Sequence, residues 1–449
     1  MKRVAVTGLG AVTPLGNDAP STWRAAVAGE SGIDFIKSFD ASEFPVRVAA
    51  EVKDFDPSGI VSSKEARRLD RNVLLALAAA VEAKDDAGLE LRANGERFDR
   101  SFQTDARAEP ERLEGGTASG ASDGFDPARV GVVFGSAIGG FLGIMEQNEV
   151  LKDRGADRVS PYFIPSVLVD SASGQIAISL GARGPNYAPV SACATGSHAV
   201  GEAAELIRRG DADAVFAGGT EACMHPLILA GFCAMRGLAV EEEYPPRASR
   251  PFDATRAGFV MGEGACVLLL EELDAAEKRG AKVYAEVLGY GASNDAYHMA
   301  APDPESVGVV EMMNAALARA RVNPTDVDYV NAHGTSTPLG DLAETKALKD
   351  VFGDHAYKLA VSSTKSMMGH CFGAAGAIEA MMCVKAIDEG VIPPTINYEH
   401  PDPECDLDYV PNEAREAKID VALSNAMGLG GHNGCVLFGR ADRNGAQHI

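Results

Sequence analysis

Short runs of β-branched and apolar residues alternate along the chain with longer segments whose apolar positions recur at helical spacing, which predicts an α/β protein. Strands are predicted at Val4–Thr7, Val130–Phe134, Tyr187–Ser191, Ala214–Ala217, Ala265–Leu270, Val283–Leu288, Val327–Ala332, Leu359–Ser362, Val421–Ser424 and Cys435–Phe438. Several lead straight into helices. From Thr195 to Arg209, Gly196, Ala199, Val200, Ala203 and Ile207 form an apolar stripe, and Gly210 follows as the C-cap. The alternation runs twice, to about Glu272 and again from about Ala281. The chain is divided accordingly into residues 1–272, residues 273–440 and a tail at 441–449. Between about Ala93 and Asp126 the chain turns polar, charged and Gly/Ser-rich, which predicts an exposed, mobile insertion.

Composition narrows the class. The 449 residues are 46% hydrophobic and 23% charged, an ordinary globular profile that excludes disorder as the dominant state. The net charge of −23 repels phosphate backbones and anionic lipid, so nucleic-acid binding is not expected. The N-terminal apolar run is too short for a secretory signal, and no stretch approaches a membrane span, so no membrane insertion and a cytoplasmic location are expected. Eight cysteines without C-x-x-C pairs, several inside apolar runs, read as reduced, mostly buried thiols.

Two formal motif matches fail on context. Gly8-Leu9-Gly10 follows a strand as a dinucleotide fingerprint would, but Thr13 holds the third glycine position and Pro14 blocks a helix. Gly120-Ala121-Ser122-Asp123-Gly124 spells a hydrolase elbow inside the insertion, with no strand before it or helix after.

Cys193 is different. It sits where a strand runs through small residues into a helix, a place where backbone N–H groups favour thiolate and can hold an oxyanion. On composition alone a buried structural cysteine is the commoner case. His333 and His370 each follow a strand within Gly-flanked segments, and Lys365 precedes His370 by five residues. At the carboxyl ends of parallel strands Cys193, His333, Lys365 and His370 can meet in one crevice. His198 is assigned to packing or a local hydrogen bond, and the glycine-rich run Asn425–Gly434 to a tight turn.

With these segments in order, the chain resembles the β-ketoacyl-acyl carrier protein synthases, most closely the type II elongating enzymes. The matching motifs are VAVTGLGAVTPLG, SACATGSH, SRPFDATRAGFVMGEGA, YVNAHGTSTPLGD, VSSTKSMMGH and GLGGHNG. The resemblance implies a thiolase-type αβαβα fold of two similar halves, a homodimer, and acyl carrier protein (ACP) as partner, bearing acyl and malonyl groups on phosphopantetheine. It implies no cofactor or metal. In its terms Cys193 is the nucleophile, the backbone N–H groups of Cys193 and Leu429 form the oxyanion hole, and His333 and His370 stabilise an enolate. Lys365 keeps that pair neutral, Glu379 supports it, and Asp341 is structural. Thr335 and Thr337 would contact pantetheine, and Ile138, Phe163, Phe232, Met427 and Leu429 would line the acyl pocket. The chain departs from the pattern at Leu429 and Met427, where Phe is usual, and at His432 and Met368, where Thr is usual.

Three other readings remain. A thiolase would need a second cysteine as base, for which Cys435 is the candidate, yet it begins an apolar strand. A polyketide or specialised-lipid ketosynthase fits the departures, whereas a non-catalytic chain-length-factor-like subunit would lack Cys193. Finally, Lys64, Arg67, Arg68 and Arg71 fall at i, i+3, i+4 and i+7, one face if SSKEARRLDRN is helical. A solvated face balanced by Glu65 and Asp70 explains this equally well, and the resemblance favours carrier docking, with Arg236 as a further contact.

Overall fold

The computed structural model describes residues 2–91, 97–98, 112–113 and 124–441. Most of the expected insertion, including all but Gly124 of the rejected Gly120–Gly124 motif, and residues 442–449 lie outside them. Ten strands form one sheet: β1 (Val4–Val12), β2 (Val130–Gly135), β3 (Asn186–Tyr187), β4 (Ala214–Glu221), β5 (Gly264–Glu272), β6 (Ala285–Asn294), β7 (Tyr329–Asn331), β8 (Ala360–Ser362), β9 (Val421–Gly428) and β10 (His432–Gly439). Their spatial order is β8-β7-β9-β10-β6-β1-β5-β4-β2-β3. Outward from the β6–β1 pair, each arm takes its own first, fifth, fourth, second and third strands. In both arms the first three strands pair antiparallel in succession and the last two join in parallel. One five-strand connectivity therefore occurs twice.

Helices fill the layers between and outside the arms. The central pair, α3 (Thr195–Arg209) and α6 (Ala375–Glu389), lies between them. Helices α1 (Arg71–Asp86) and α2 (Ser171–Leu180) cover one outer face, and α4 (Val307–Ala320) and α5 (Pro338–Phe352) the other. This is the αβαβα layering that the resemblance implies. Period-2 alternation sends each strand's side chains to two cores: Cys266, Leu268 and Leu270 pack on the central helices, Ala265, Val267 and Leu269 on α1 and α2. Such strands, buried on both faces, read as continuous apolar runs. Helix α3 spans the expected residues, and Gly210 closes it in the left-handed conformation, φ 82°.

The Gly-Leu-Gly segment is a packing device. A Cβ on Gly8 or Gly10 would lie 2.1 or 2.0 Å from the carbonyl oxygens of Ala83 or Ala79 in α1, so only glycine lets helix and strand meet. Gly289 and Gly291 in β6 face α4 in the same way, and both strands shift register just before their first glycine. For this reason β1 and β6 run on past their expected ends at Thr7 and Leu288. The strand expected at Tyr187–Ser191 shrinks to Asn186–Tyr187, because Pro189 has no N–H and Ser191 donates its own to Thr195 Oγ1 at 2.9 Å.

The continuous basic face does not form. A capping box between Ser62 and Glu65 starts a short helix, Ser63–Ala66, and Asp70 then caps α1 separately. Arg71 turns inward and donates to Glu263 through Nη2 at 2.8 Å and Nε at 2.9 Å. Arg68 is half-buried with its guanidinium 4.3 Å from the Tyr162 ring centroid, while Lys64 and Arg67 stay exposed.

Candidate active site

Cys193 lies in a single 3-10 turn, Ala192–Ala194, that opens into α3. Ala192 holds φ 51°, a left-handed value that aims the next residue inward, and Cys193 is buried. The last residue of β9 meets this turn across the junction of the two halves. A Cβ on Gly428 would stand 3.1 Å from the Cys193 amide nitrogen, so a side chain there would force the backbones apart. The next amide, that of Leu429, lies beside the Cys193 sulfur and favours its thiolate form. The glycine run is thus the expected turn, with Gly430 and Gly431 at positive φ, and also the close approach that brings two backbone N–H groups together. The helix start does not make Cys193 a resting thiolate: burial pushes the thiol up to about 11, against the pull of Lys365 and the Leu429 N–H.

The second half supplies the histidines. His333 follows β7, and its loop is held by Glu344 of α5, whose carboxylate accepts from the His333 N–H at 2.9 Å and the Gly334 N–H at 2.8 Å. Asn425 donates to the same carboxylate at 3.3 Å. Lys365 Nζ lies 3.5 Å from His333 Nδ1 and pairs with Glu379 of α6. An ammonium donating to Nδ1 leaves the ring proton on Nε2, the nitrogen on the opposite side. His370 N–H donates to the Val260 carbonyl at 2.7 Å, and its ring stands edge-on to His333 with centroids 5.3 Å apart. Burial first and Lys365 second hold both imidazoles well below the usual histidine range, so the sequence-based assignment to Lys365 names the smaller cause. Both rings are neutral at pH 7. Burial also pushes Glu379 up to about 7 against the pull of Lys365.

A cavity of about 510 Å³ opens over these groups, lined by Cys193, His333, His370, Phe232, Met427 and Leu429 and also by Thr335, Thr337 and Arg236. Phe232 stacks on Phe372, and Phe259 stands edge-on to Phe232 and to His370. Lys365, Glu379 and Asp341 lie behind this surface. Asp341 accepts from the Phe252 and Ser336 N–H groups, which fixes the threonine loop. Ile138 belongs to the apolar cluster around Cys193 but not to the cavity wall. Phe163 is not brought to the cavity of its own chain; it begins a surface turn beside exposed Ile164 and Leu168. Cys435 is buried in β10 within another core, and His198 Nε2 meets the Asn433 carbonyl at 3.1 Å. Among the described residues no cluster of His, Cys, Asp or Glu could hold a metal ion.

Sequence reasoning missed Glu344, Asn425, Phe259 and Phe372. One signal was available: Asp341 and Glu344 stand three apart on a helix face shared with Leu348, Val351 and Phe352, where carboxylates need partners.

Comparison with known proteins shows what the chain is similar to. Residues 1–276 match the model of the β-ketoacyl synthase N-terminal domain, and residues 284–399 that of the C-terminal domain. The chain is 47% identical to the 3-oxoacyl-[acyl-carrier-protein] synthase 2 of Coxiella burnetii, over 98% of this chain and 99% of that protein. It is 46% identical to the protein of the same name from Staphylococcus aureus, over 97% and 98%. Among solved structures it is similar to a β-ketoacyl synthase from Burkholderia phymatum, TM-score 0.84 at 31% identity, covering 98% of this chain and all of that one. It is also similar to a complex of a type II PKS acyl-carrier protein with its ketosynthase, TM-score 0.83 at 32% identity, with the same coverage.

Proposed function

Because the chain belongs to the β-ketoacyl synthase family, we propose that it is a β-ketoacyl-ACP synthase that lengthens acyl chains by two carbons through decarboxylative condensation with malonyl-ACP. One observation carries this reading: a buried cysteine between two backbone N–H groups from one direction and two neutral histidines from the other meet at a single cavity.

Each step follows from these groups. The Cys193 sulfur attacks the thioester carbonyl of an acyl-ACP while the N–H groups of Cys193 and Leu429 hold the oxyanion. The carrier thiol leaves with the proton that the cysteine gives up, and the acyl group stays on sulfur. Malonyl-ACP then loses its carboxylate as CO2. The electron pair of the broken C–C bond moves into an enolate, whose oxygen accepts from His333 Nε2–H and from His370. Neutral rings suit this work, because they donate a hydrogen bond without transferring the proton that would quench the carbanion. The enolate carbon attacks the acyl-Cys193 carbonyl, the C–S bond breaks, and the thiolate takes up one proton from solvent. Lys365 and Glu379 hold the His333 tautomer from behind, and Thr335 and Thr337 offer hydroxyls to a pantetheine arm.

The carrier is strongly acidic, and exposed Lys64, Arg67 and Arg236 are the cations we assign to its docking. A second copy of the chain is proposed to cover the open sheet edge at β3, where Tyr187, Val190 just beyond the strand, and Ile164 and Leu168, the last two 60% and 49% exposed, are uncovered. No helix among the described residues is long and apolar enough to cross a membrane, and we assign the enzyme to the cytoplasm. Leu429 and Met427 at the cavity favour one variant reading, a ketosynthase of a polyketide or specialised lipid pathway. Incubation with malonyl-ACP and a ladder of acyl-ACPs, followed by mass spectrometry, tests both. Single two-carbon β-ketoacyl products support fatty acyl elongation, repeated uncorrected extension supports the variant, and no condensation contradicts both.

A further inference from the structure

The duplicated fold builds the nucleophile turn twice. In the first half Ala192–Ala194 precedes the 15-residue helix α3, with Ala192 at φ 51°; in the second Phe372–Ala374 precedes the 15-residue helix α6, with Phe372 at φ 43°. Gly373 therefore stands where Cys193 stands in the other half. The fourth strand of the opposite half meets each turn through its last residue, and here the halves differ. Gly428 closes β9 and leaves the Cys193 amide open to the cavity, whereas Glu221 closes β4 and sends a carboxylate into the second turn.

That carboxylate is wholly buried and accepts four hydrogen bonds. Oε1 takes the Ser136 hydroxyl at 2.8 Å and the Ile138 N–H at 3.3 Å; Oε2 takes the Ala137 N–H at 2.8 Å and the Gly373 N–H at 3.1 Å. Three backbone N–H groups converge on it from two segments. One carries Ile138, in the apolar cluster around Cys193, and the other carries Phe372, which packs on His370 with centroids 5.0 Å apart. A free carboxylate here is costly to bury, and burial pushes it up to about 7 against the pull of these donors. No step of the condensation uses it.

We propose that Glu221 is a positioning residue, an internal anion that occupies the counterpart of the oxyanion hole and ties the Ser136–Ile138 loop to the turn that packs His370 in place. The inference rests on the condensing-enzyme reading of the site. Glu221 acts through its charge and its two acceptor oxygens. A glutamine keeps the shape but must turn an NH2 toward donors, and an alanine leaves the N–H groups of Ala137, Ile138 and Gly373 unpaired.

The test uses the full-length chain as wild type, Glu221→Gln and Glu221→Ala, with folding checked by circular dichroism. Malonyl-ACP decarboxylation and condensation are measured, with and without added formate or formamide. Glu221→Gln should lower kcat about tenfold, the kinetic equivalent of one hydrogen bond to a charged acceptor, with KM for malonyl-ACP little changed. Glu221→Ala should fall further and recover with formate, which refills the nest of N–H groups with an anion, but not with formamide. Wild-type kcat in Glu221→Gln, or a Glu221→Ala activity that formate fails to raise, overturns the inference. An inactive wild type would instead overturn the reading of the site.

Discussion

The two halves of this molecule share a five-strand connectivity, a Gly-x-Gly packing strand and a turn-plus-helix unit, yet they contribute different chemistry. The first half offers a sulfur at its turn. The second offers no nucleophile there, because Gly373 takes the place of Cys193, but it supplies His333, Lys365 and His370 from the ends of β7 and β8 and the residues beyond. Duplication fixes the scaffold, and on the proposed reading a few side chains decide which half attacks and which stabilises charge. The contrast is sharpest at the ends of β4 and β9, where Glu221 fills one turn and Gly428 keeps the other open.

Removing the second half's contribution should have the largest effect. His333→Ala or His370→Ala is expected to lower malonyl-ACP decarboxylation by roughly 10²–10⁴-fold. A variant that decarboxylates at the wild-type rate would show that the second half is scaffold alone. Erasing the glycine at the junction comes next. Gly428→Ala pushes a methyl against the Cys193 amide, and acyl transfer measured by stopped flow should fall by about 10²–10³-fold, the usual cost of an oxyanion donor. Unchanged acylation would separate Gly428 from the oxyanion hole.

Burial sets the next prediction. With the Cys193 thiol pushed up to about 11, only a small thiolate fraction exists near neutrality, and that fraction grows as pH rises toward the raised value. Alkylation of Cys193 by iodoacetamide should accelerate about tenfold per pH unit through the neutral to mildly alkaline range. A plateau near pH 7 would mean that the helix start and Lys365 outweigh burial. The smallest effect concerns the carrier. Arg67→Glu should raise the apparent KM for ACP-bound substrates by about 2–5-fold, more at low salt, because one exposed charge contributes little. Arg71→Gln should leave the salt dependence alone, since that side chain is already paired with Glu263.

How much of this could be read from the chain depends on whether a feature is local. Helix α3 and its Gly210 cap follow from spacing within fifteen residues. The αβαβα expectation came from the resemblance, and the strand alternation itself gave only an α/β class. The basic face failed because periodicity assumes one helix, whereas two separate caps, at Ser62 and Asp70, break it and free Arg71 to turn inward. The active-site cysteine and histidines stood out at strand ends, but the residues that hold them did not. Glu344 accepts from loop N–H groups ten and eleven residues before it, Asn425 donates to Glu344 across 81 residues, and Glu221 accepts from an N–H of the other half, so no local pattern encodes these partners. The drop of both histidines below their usual range is likewise a product of burial, which a sequence does not display.

The central claim is that one half carries the acyl group while the other activates the malonyl group. Incubating the protein with an acyl-ACP alone and mapping the modified peptide by mass spectrometry tests it directly. The account predicts an acyl thioester on Cys193 that disappears on addition of malonyl-ACP as a β-ketoacyl product two carbons longer is formed, with no label in Cys193→Ala. An acyl group on any other residue, or a Cys193→Ala protein that still condenses, would contradict it.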